Sequence, residues 1–116
     1  MSITIINLTP HVVRLNDGRE FPPSGNVARV SSEYSEWSDA HIEGVPTCVT
    51  TFGDVIGLPD PQDGVAYIVS GMVMSACPNR LDIMAPATGH KDCVRKDGQV
   101  VSVPGFIRNA RPKAKL

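Results

Sequence analysis

The chain has 116 residues, of which 41% are hydrophobic and 20% charged, and its formal net charge is −1. This length supports one domain with a single modest core and is too short for two. The near-neutral charge argues against avid binding to duplex DNA, and no apolar run approaches the roughly 18 residues that cross a bilayer. No basic segment precedes an apolar stretch at the N-terminus, so no secretory signal is expected and a cytosolic protein is predicted.

The N-terminal thirty residues contain short apolar strands separated by rigid turns. Thr9-Pro10 ends the first strand, because the residue before a proline disfavours helical backbone. Asn16-Asp17-Gly18 predicts a tight hairpin turn, since Asp-Gly accommodates the positive φ that such turns need. Pro22-Pro23-Ser24-Gly25 ends the returning strand. Predicted strands cover residues 3–8, 11–15, 19–21 and 27–30.

Residues 31–44 are polar and acidic, and they predict an exposed loop. A helical turn capped by Ser32 or Ser35 is compatible with this composition. Trp37, the only tryptophan, lies within the segment. It is expected to anchor the loop, either onto the core or onto a partner subunit, and the sequence leaves both alternatives open.

The second half of the chain repeats the pattern of short strands and Pro/Gly corners. Residues 72–77 predict one or two helical turns that Pro78 stops, and Lys96-Asp97-Gly98 predicts the turn of a hairpin. Residues 53–64 read as a turn-rich connector and residues 87–93 as a loop. Predicted strands cover residues 45–52, 66–70, 80–84, the hairpin 94–103 and 106–108.

These elements predict a β-rich α+β fold: a small antiparallel β-sheet or barrel-like single domain with one or two short helices. The domain is predicted to cover residues 1–108 as a single ligand-binding unit that contains the acidic loop 31–44. Residues 109–116 are predicted to form a basic C-terminal tail. Short exposed strand edges in such a fold favour oligomerisation.

Charge and cysteine usage add two further expectations. Residues 1–90 carry four Lys/Arg against ten Asp/Glu, whereas residues 91–116 carry seven against two. The basic C-terminal quarter favours an anionic ligand such as a phosphate, unless its last residues are only a solvated tail. Cys48, Cys77 and Cys93 form no C-x-x-C pair and lie among small or apolar residues, which predicts buried, reduced thiols.

Few residues are arranged for catalysis or metal binding. His90-Lys91-Asp92-Cys93 is the one cluster of such side chains, but its members are too close in sequence for a structural zinc site. The glycines form neither a dinucleotide-binding nor a P-loop motif, so no cofactor is predicted. The turn around Thr88 offers a hydroxyl and backbone N–H groups to a phosphate, which is a weak signal by itself.

Isolated arginines are more suggestive, because each lies at or beside a predicted strand. A half-buried guanidinium needs an acceptor, which is either a carboxylate, with Asp82 the candidate partner for Arg80, or a bound phosphate. Sparse aromatic residues either stack on a nucleobase or belong to the core. The arginines are Arg29, Arg80, Arg95 and Arg108, and the aromatic residues are Phe52, Tyr67 and Phe106.

Several motifs, in this order and spacing, resemble the first family of Thoeris anti-defence proteins, which phages encode. The similarity spans about residues 3–108, excluding the acidic segment around Trp37 and the basic tail. The residues that carry it are Asn7-Leu8-Thr9-Pro10-His11, Pro22-Pro23-Ser24-Gly25 with Ala28-Arg29-Val30, Phe52-Gly53 leading to Gly57-Leu58-Pro59, Tyr67-Ile68-Val69-Ser70, and Arg80 and Asp82 with Pro86.

The resemblance implies a non-enzymatic sponge in the cytoplasm of the infected bacterial host. Family members bind glycocyclic ADP-ribose signals made by TIR proteins, and some bind CBASS cyclic trinucleotides at a separate pocket. The implied assembly is a hexamer built from dimers, with pockets between subunits. By position, Arg29 and Thr88 are expected in the trinucleotide pocket. The residues expected in the ADP-ribose pocket are Arg80, Arg95, Arg108, Phe52 and Asn79.

Two other functions remain compatible with the residues. A phage structural or assembly protein would have salt-bridged arginines and bind only protein. A nucleotide hydrolase would use Asp82, His90 or Asp92. Capture of an unmodified small molecule would indicate the sponge. No capture would indicate the structural or assembly protein, and formation of a product would indicate the hydrolase.

Overall fold

A computed structural model describes residues 2–110, except the side chains of residues 39–42. The predicted tail therefore lies outside the described residues from position 111 onward. Twelve strands and one helix follow in chain order: β1 (Thr4–Asn7), β2 (Val13–Arg14), β3 (Glu20–Phe21), β4 (Arg29–Tyr34), β5 (Ser38–Ile42), β6 (Val45–Thr47), β7 (Thr50–Ile56), β8 (Val65–Ile68), α1 (Gly71–Ala76), β9 (Ile83–Pro86), β10 (Val94–Lys96), β11 (Gln99–Ser102) and β12 (Phe106–Arg108).

The prediction of a β-rich α+β domain with a short helix is confirmed. Five strand pairs are antiparallel: β2–β3, β4–β7, β5–β6, β10–β11 and β9–β12. The central sheet has the order β1-β8-β9-β12, and its pairs β1–β8 and β8–β9 are parallel. The sequence did not predict this parallel pairing, because it joins strands far apart in the chain or separated by α1.

The core lies on both sides of the central sheet. Tyr67 and Val69 belong to one hydrophobic cluster, which also holds Val73 of α1. Ile68, between them in the chain, belongs to the other cluster with Val103. Since successive side chains in a strand point to opposite faces, this segment buries both of its faces, which is typical of a central parallel strand.

Local sequence signals correctly predicted the position of the helix and of one hairpin turn. The hydroxyl of Ser70 accepts a hydrogen bond from the Val73 N–H at 3.2 Å and caps α1. Asp97 and Gly98 both have positive φ, as a two-residue hairpin turn requires. In the turn after β2 only Gly18 has positive φ, so that turn reverses the chain with one left-handed residue rather than two.

The prediction of a loop at residues 31–44 is wrong, although residues 32–37 are exposed as predicted. Residues 31–44 form most of β4 and β5, within a long β-hairpin of residues 29–56 that we call the arm. The Ser35 N–H donates to the Val49 carbonyl and the Val49 N–H to the Ser35 hydroxyl, each at 2.8 Å, which joins its two halves. Cross-strand pairing satisfies the backbone there, and it outweighs the weak strand propensity of Ser, Glu and Asp.

Other element boundaries also differ from expectation. The predicted strand 45–52 is divided into β6 and β7, and β7 continues through the predicted connector to Ile56. The strand predicted from Arg80 begins only at Ile83, since Arg80 and Asp82 form an ion pair in the preceding turn. The three cysteines are free thiols, as predicted. Each is only partly buried, so the prediction that they are buried is wrong.

Candidate functional site

A groove of about 440 Å³ opens where the carboxyl ends of the three parallel strands meet. β1 leads into Thr9 and His11, β8 into Ser70, and β9 into Thr88. Ligands of open α/β sheets bind outside the carboxyl ends of parallel strands, because loops from several strands converge there. The groove is lined by Thr9, Pro10, His11, Val12, Val13, Arg14, Ser70, Pro86, Thr88, Val100 and Val103.

The first wall of the groove is held by the buried side chain of Asn7. Its amide donates to the carbonyl oxygens of His11 and Phe21, both at 2.8 Å. Its Oδ1 accepts from the backbone N–H and the hydroxyl of Thr9 at 2.9 and 2.7 Å. These four bonds fix the 9–11 turn against β3, so the groove is formed before any ligand enters.

Polar groups surround an otherwise apolar floor. Valine side chains form the floor, and Thr9, His11, Ser70 and Thr88 supply hydroxyl and imidazole groups. Arg14 is exposed, and its Nε donates to Glu20 Oε1 at 2.9 Å. An exposed ion pair of this kind is weak, so the guanidinium can exchange its partner for a ligand anion.

Two predicted site residues meet at the edge of this groove. Arg95 Nη2 donates to the Thr88 carbonyl oxygen at 2.6 Å. The contact places the cationic side chain of Arg95 beside the turn that contains Thr88, although the resemblance assigns these two residues to separate pockets. Thr88 lines the groove and Arg95 borders it.

Three other predicted residues form a second group between α1 and the end of β12. The Asn109 amide donates to the carbonyl oxygens of Cys77 and Arg80 at 2.8 and 3.1 Å. Asn79 and Arg80 lie in the turn after α1, and Arg108 precedes Asn109 and pairs with Met84 of β9, but among the described residues no hydrogen bond or ion pair joins the Arg108 side chain to either of them. The guanidinium of Arg108 is exposed, and it has no hydrogen-bond partner among the residues that the structure describes.

Within this second group, Arg80 is committed to an ion pair. Its Nε and Nη2 donate to the two Asp82 oxygens, each at 2.8 Å, and Nη2 also donates to the Pro59 carbonyl oxygen at 2.9 Å. The hydrogen bonds from Arg80 lower the pKa of the Asp82 carboxyl, and the same contact raises the pKa of Arg80. Two acceptors were considered for Arg80, a carboxylate and a bound phosphate, and the structure shows the carboxylate of Asp82.

Replacing Asp82 with asparagine is expected to lower the free energy of unfolding by about 1–3 kcal/mol at pH 7. Because the folded-state pKa of Asp82 is lowered, its stabilisation is present above the unfolded pKa of about 4 and is lost as pH falls through the folded value. The difference between wild type and Asp82→Asn should therefore shrink below pH 4 in urea titrations. The more exposed pair Arg19–Asp17 provides the control, since Asp17→Asn should have a smaller effect at pH 7.

The remaining predicted residues lie on the arm. Arg29 pairs with Ile56 at its base, and Phe52 pairs with Ser32 further out. Neither lines the groove. Arg29 and Thr88, expected together in one pocket, are thus on different parts of a single chain.

The other candidates considered for chemistry have structural contacts. Tyr67 is buried, and Phe106 packs edge-on against Phe21 with ring centroids 5.7 Å apart. The His90 Nδ1 accepts from the Asp92 backbone N–H at 3.0 Å. Within the described part of the chain, no group of three His, Cys, Asp or Glu residues could hold a metal ion.

Sequence reasoning did not assign His11, Arg14 or Ser70 to a site. Ser70 is distant in the chain from His11 and Arg14, and the parallel pairing of β1 with β8 brings it to them. The groove could have been found from the sequence by recognising that the strands predicted at residues 3–8, 66–70 and 80–84 are parallel neighbours in one sheet. A continuous apolar run such as 65–69 is typical of such strands.

Comparisons with known proteins give no match to a family model, to a curated protein sequence or to a solved structure. Among residues 2–110, no helix has both the length and the apolar character to span a membrane.

Proposed function

We propose that this protein is a phage anti-defence protein that binds a cyclic nucleotide immune signal and sequesters it without cleavage. The proposed ligand class is glycocyclic ADP-ribose from Thoeris TIR proteins, with CBASS cyclic trinucleotides as a second class. It would act in the cytoplasm of the infected bacterium, as a homo-oligomer for which the family resemblance suggests a hexamer of dimers. The resemblance in motif order supports this specific form of the proposal.

The observation that carries the proposal is the groove at the carboxyl ends of β1, β8 and β9. Its volume of about 440 Å³ lies within the range of pockets that hold small-molecule ligands. An apolar floor suits a base or sugar face, and the surrounding hydroxyl, imidazole and guanidinium groups suit phosphates. The Asn7 network preforms one wall, which reduces the ordering cost of binding.

The charged residues support binding rather than turnover. Asp82 is a poor general base, because both of its oxygens accept hydrogen bonds from Arg80 and its pKa is lowered. Arg29 and Arg108 are exposed and have no hydrogen-bond partner among the described residues, so both guanidinium groups are available to a phosphate. Tight capture needs about −12 kcal/mol for nanomolar affinity, which several charge-assisted contacts and a stacked base would together have to supply.

The decisive experiment is capture followed by release. Purified protein is incubated with a panel of cyclic ADP-ribose isomers and cyclic di- and trinucleotides, washed and denatured by heat, and the released species are identified by mass spectrometry. Recovery of an unmodified ligand supports the proposal and names the signal. An altered ligand identifies an enzyme, and no capture rejects the binding proposal.

Replacing Arg95 with alanine is expected to weaken ligand affinity by about tenfold to a hundredfold, because a charge-assisted contact is worth about 1.5–3 kcal/mol. Arg29→Ala and Arg108→Ala should also weaken binding with the fold intact. Arg19→Ala is the matched control. Arg19 is an exposed arginine, and it belongs neither to the groove, nor to the group between α1 and the end of β12, nor to the arm. Isothermal titration calorimetry measures affinity, and circular dichroism checks folding. Equal affinities for Arg95→Ala and the control would contradict the assignment of Arg95.

A structural or assembly protein is the second candidate, and the arm favours it. Its exposed apolar side chains include Tyr34, Trp37 and Phe52, which are residue types enriched in protein interfaces. A protein that captures no nucleotide but assembles through the arm would fit this alternative.

A further inference from the structure

The arm carries two shallow depressions beside exposed aromatic side chains. The first lies against Tyr34 and Trp37, the second lies against Glu33 and Phe52, and each holds about 350 Å³. The three aromatic residues are 58% to 73% exposed. An aromatic ring is negative over its face, so these rings offer both apolar area and attraction for a cation.

Two of the aromatic side chains lie in rows with the spacing of an extended chain. Ser32 lies opposite Phe52 and Tyr34 lies opposite Thr50 in the β4–β7 pairing. Residues two apart in a strand share a face and lie about 6–7 Å apart. Tyr34 and Phe52 are therefore on one face in successive rows. A strand added beside β4 would place its own alternate side chains in the same rows.

The outer edge of β4 is open to such a strand. Within the described part of the chain, β4 pairs only with β7, as a sheet of two strands. Backbone groups on the other edge of β4 therefore face no third strand. An extended peptide can add to an open edge because its own N–H and C=O groups complete the hydrogen bonds. A hairpin alone is marginally stable in water, so an added strand also stabilises the arm.

The charge of the arm selects a basic segment. Residues 29–56 contain five Asp/Glu and one arginine, a net charge of −4, and residues 30–79 contain no Lys or Arg. Glu33 and Glu36 are exposed and adjacent in sequence to Tyr34 and Trp37. Carboxylates attract Lys and Arg, which also bind over the faces of Trp and Tyr rings. The arm of a second copy would instead bring like charges together.

We propose that the arm binds an extended, basic segment of a different protein by strand addition to β4. A Lys or Arg side chain of that segment lies against the rings of Tyr34 and Trp37, and Glu33 and Glu36 offset its charge. No residue of the arm lines the groove, so this inference does not rest on the proposed function.

A short peptide of alternating arginine and threonine tests the proposal, because threonine favours extended backbone. The peptide has no aromatic ring, and Trp37 is the only tryptophan of the protein. Its fluorescence emission should therefore change as the peptide is added, and the affinity should fall as salt concentration rises. A peptide of alternating glutamate and threonine should not bind. N-methylation of alternate residues of the arginine peptide should weaken binding at least about fivefold, because it removes the backbone donors.

Variants of the arm identify the contact surface. Glu33→Gln/Glu36→Gln should weaken binding of the arginine peptide by about tenfold. Asp60→Asn/Asp63→Asn removes the same charge from an exposed loop outside the arm and should bind like wild type. Tyr34→Leu keeps apolar bulk and the Trp37 signal, and it should weaken binding by about threefold through loss of the ring. Circular dichroism checks that each variant is folded.

Several results would overturn the proposal. One is a Trp37 emission that the arginine peptide leaves unchanged, and another is equal binding of the glutamate peptide. Equal affinities of the two double variants would show that the peptide binds outside the arm, and equal affinity of the N-methylated peptide would exclude strand addition. Sedimentation velocity with and without peptide gives the last test, since self-association that excludes the peptide would assign the arm to a second copy instead.

Discussion

Replacing Asn7 with aspartate is expected to lower the free energy of unfolding by about 3–5 kcal/mol at neutral pH, because it creates an uncompensated buried charge. Asn7 is 3% exposed. Its amide donates to the carbonyl oxygens of His11 and Phe21. A carboxylate in this place has no hydrogen to donate and would face both oxygens without water. Since small domains are stable by about 5–15 kcal/mol, the loss is a large fraction of the total.

Urea denaturation followed by circular dichroism measures this effect. Asn26→Asp is the matched control, since Asn26 is exposed and its side chain makes no hydrogen bond with the described residues. Under the proposed function, the Asn7 variant should also lose ligand affinity where it remains folded, because the 9–11 turn forms a wall of the groove. Equal stability of the two variants would contradict the role given to the Asn7 network.

Replacing Gly57 with alanine is expected to cost about 2–4 kcal/mol, the sum of backbone strain and steric overlap. Gly57 has a φ of +87°, and a Cβ there would lie 2.5 Å from the carbonyl oxygen of Val27. The neighbouring atom belongs to the backbone, so it cannot rotate away as a side chain would. The glycine closes the base of the arm, where β7 ends against residues 27–28.

Two other glycines separate the causes of this loss in the same denaturation assay. Gly25 has a φ of +98° with open space around a Cβ, so Gly25→Ala should show the backbone strain alone. Gly89 has neither positive φ nor a close neighbour, so Gly89→Ala should be almost neutral. The expected order of destabilisation is Gly57, Gly25, Gly89. A Gly57 variant no less stable than the Gly25 variant would show that the close approach to Val27 is relaxed without cost.

The features that depend on neighbouring residues could be predicted from the sequence. Asp97-Gly98 determines its turn because both residues adopt positive φ, and Ser70 determines the start of α1 by accepting the Val73 N–H. The Arg80–Asp82 ion pair belongs to the same class, since two residues of separation place the charges together. In each case the interacting groups lie within three residues of one another.

The acidic segment shows where local composition misleads. Residues 31–44 are polar because the arm extends into solvent, and polarity alone does not distinguish a solvated strand from a loop. Cross-strand hydrogen bonds with β6 and β7 decide the difference, and the pairing partner of a strand is not encoded in the strand itself.

The candidate site depends on the tertiary structure alone. Thr9, Ser70 and Thr88 line one groove only because β1, β8 and β9 run parallel, and β1 is joined to β8 across about sixty residues that include the arm. The sequence by itself determined the strand-rich α+β class, the turn at Asp97-Gly98 and the start of α1. Burial of both faces of β8 decided which strands became neighbours, because the free energy of covering apolar surface depends on the whole chain.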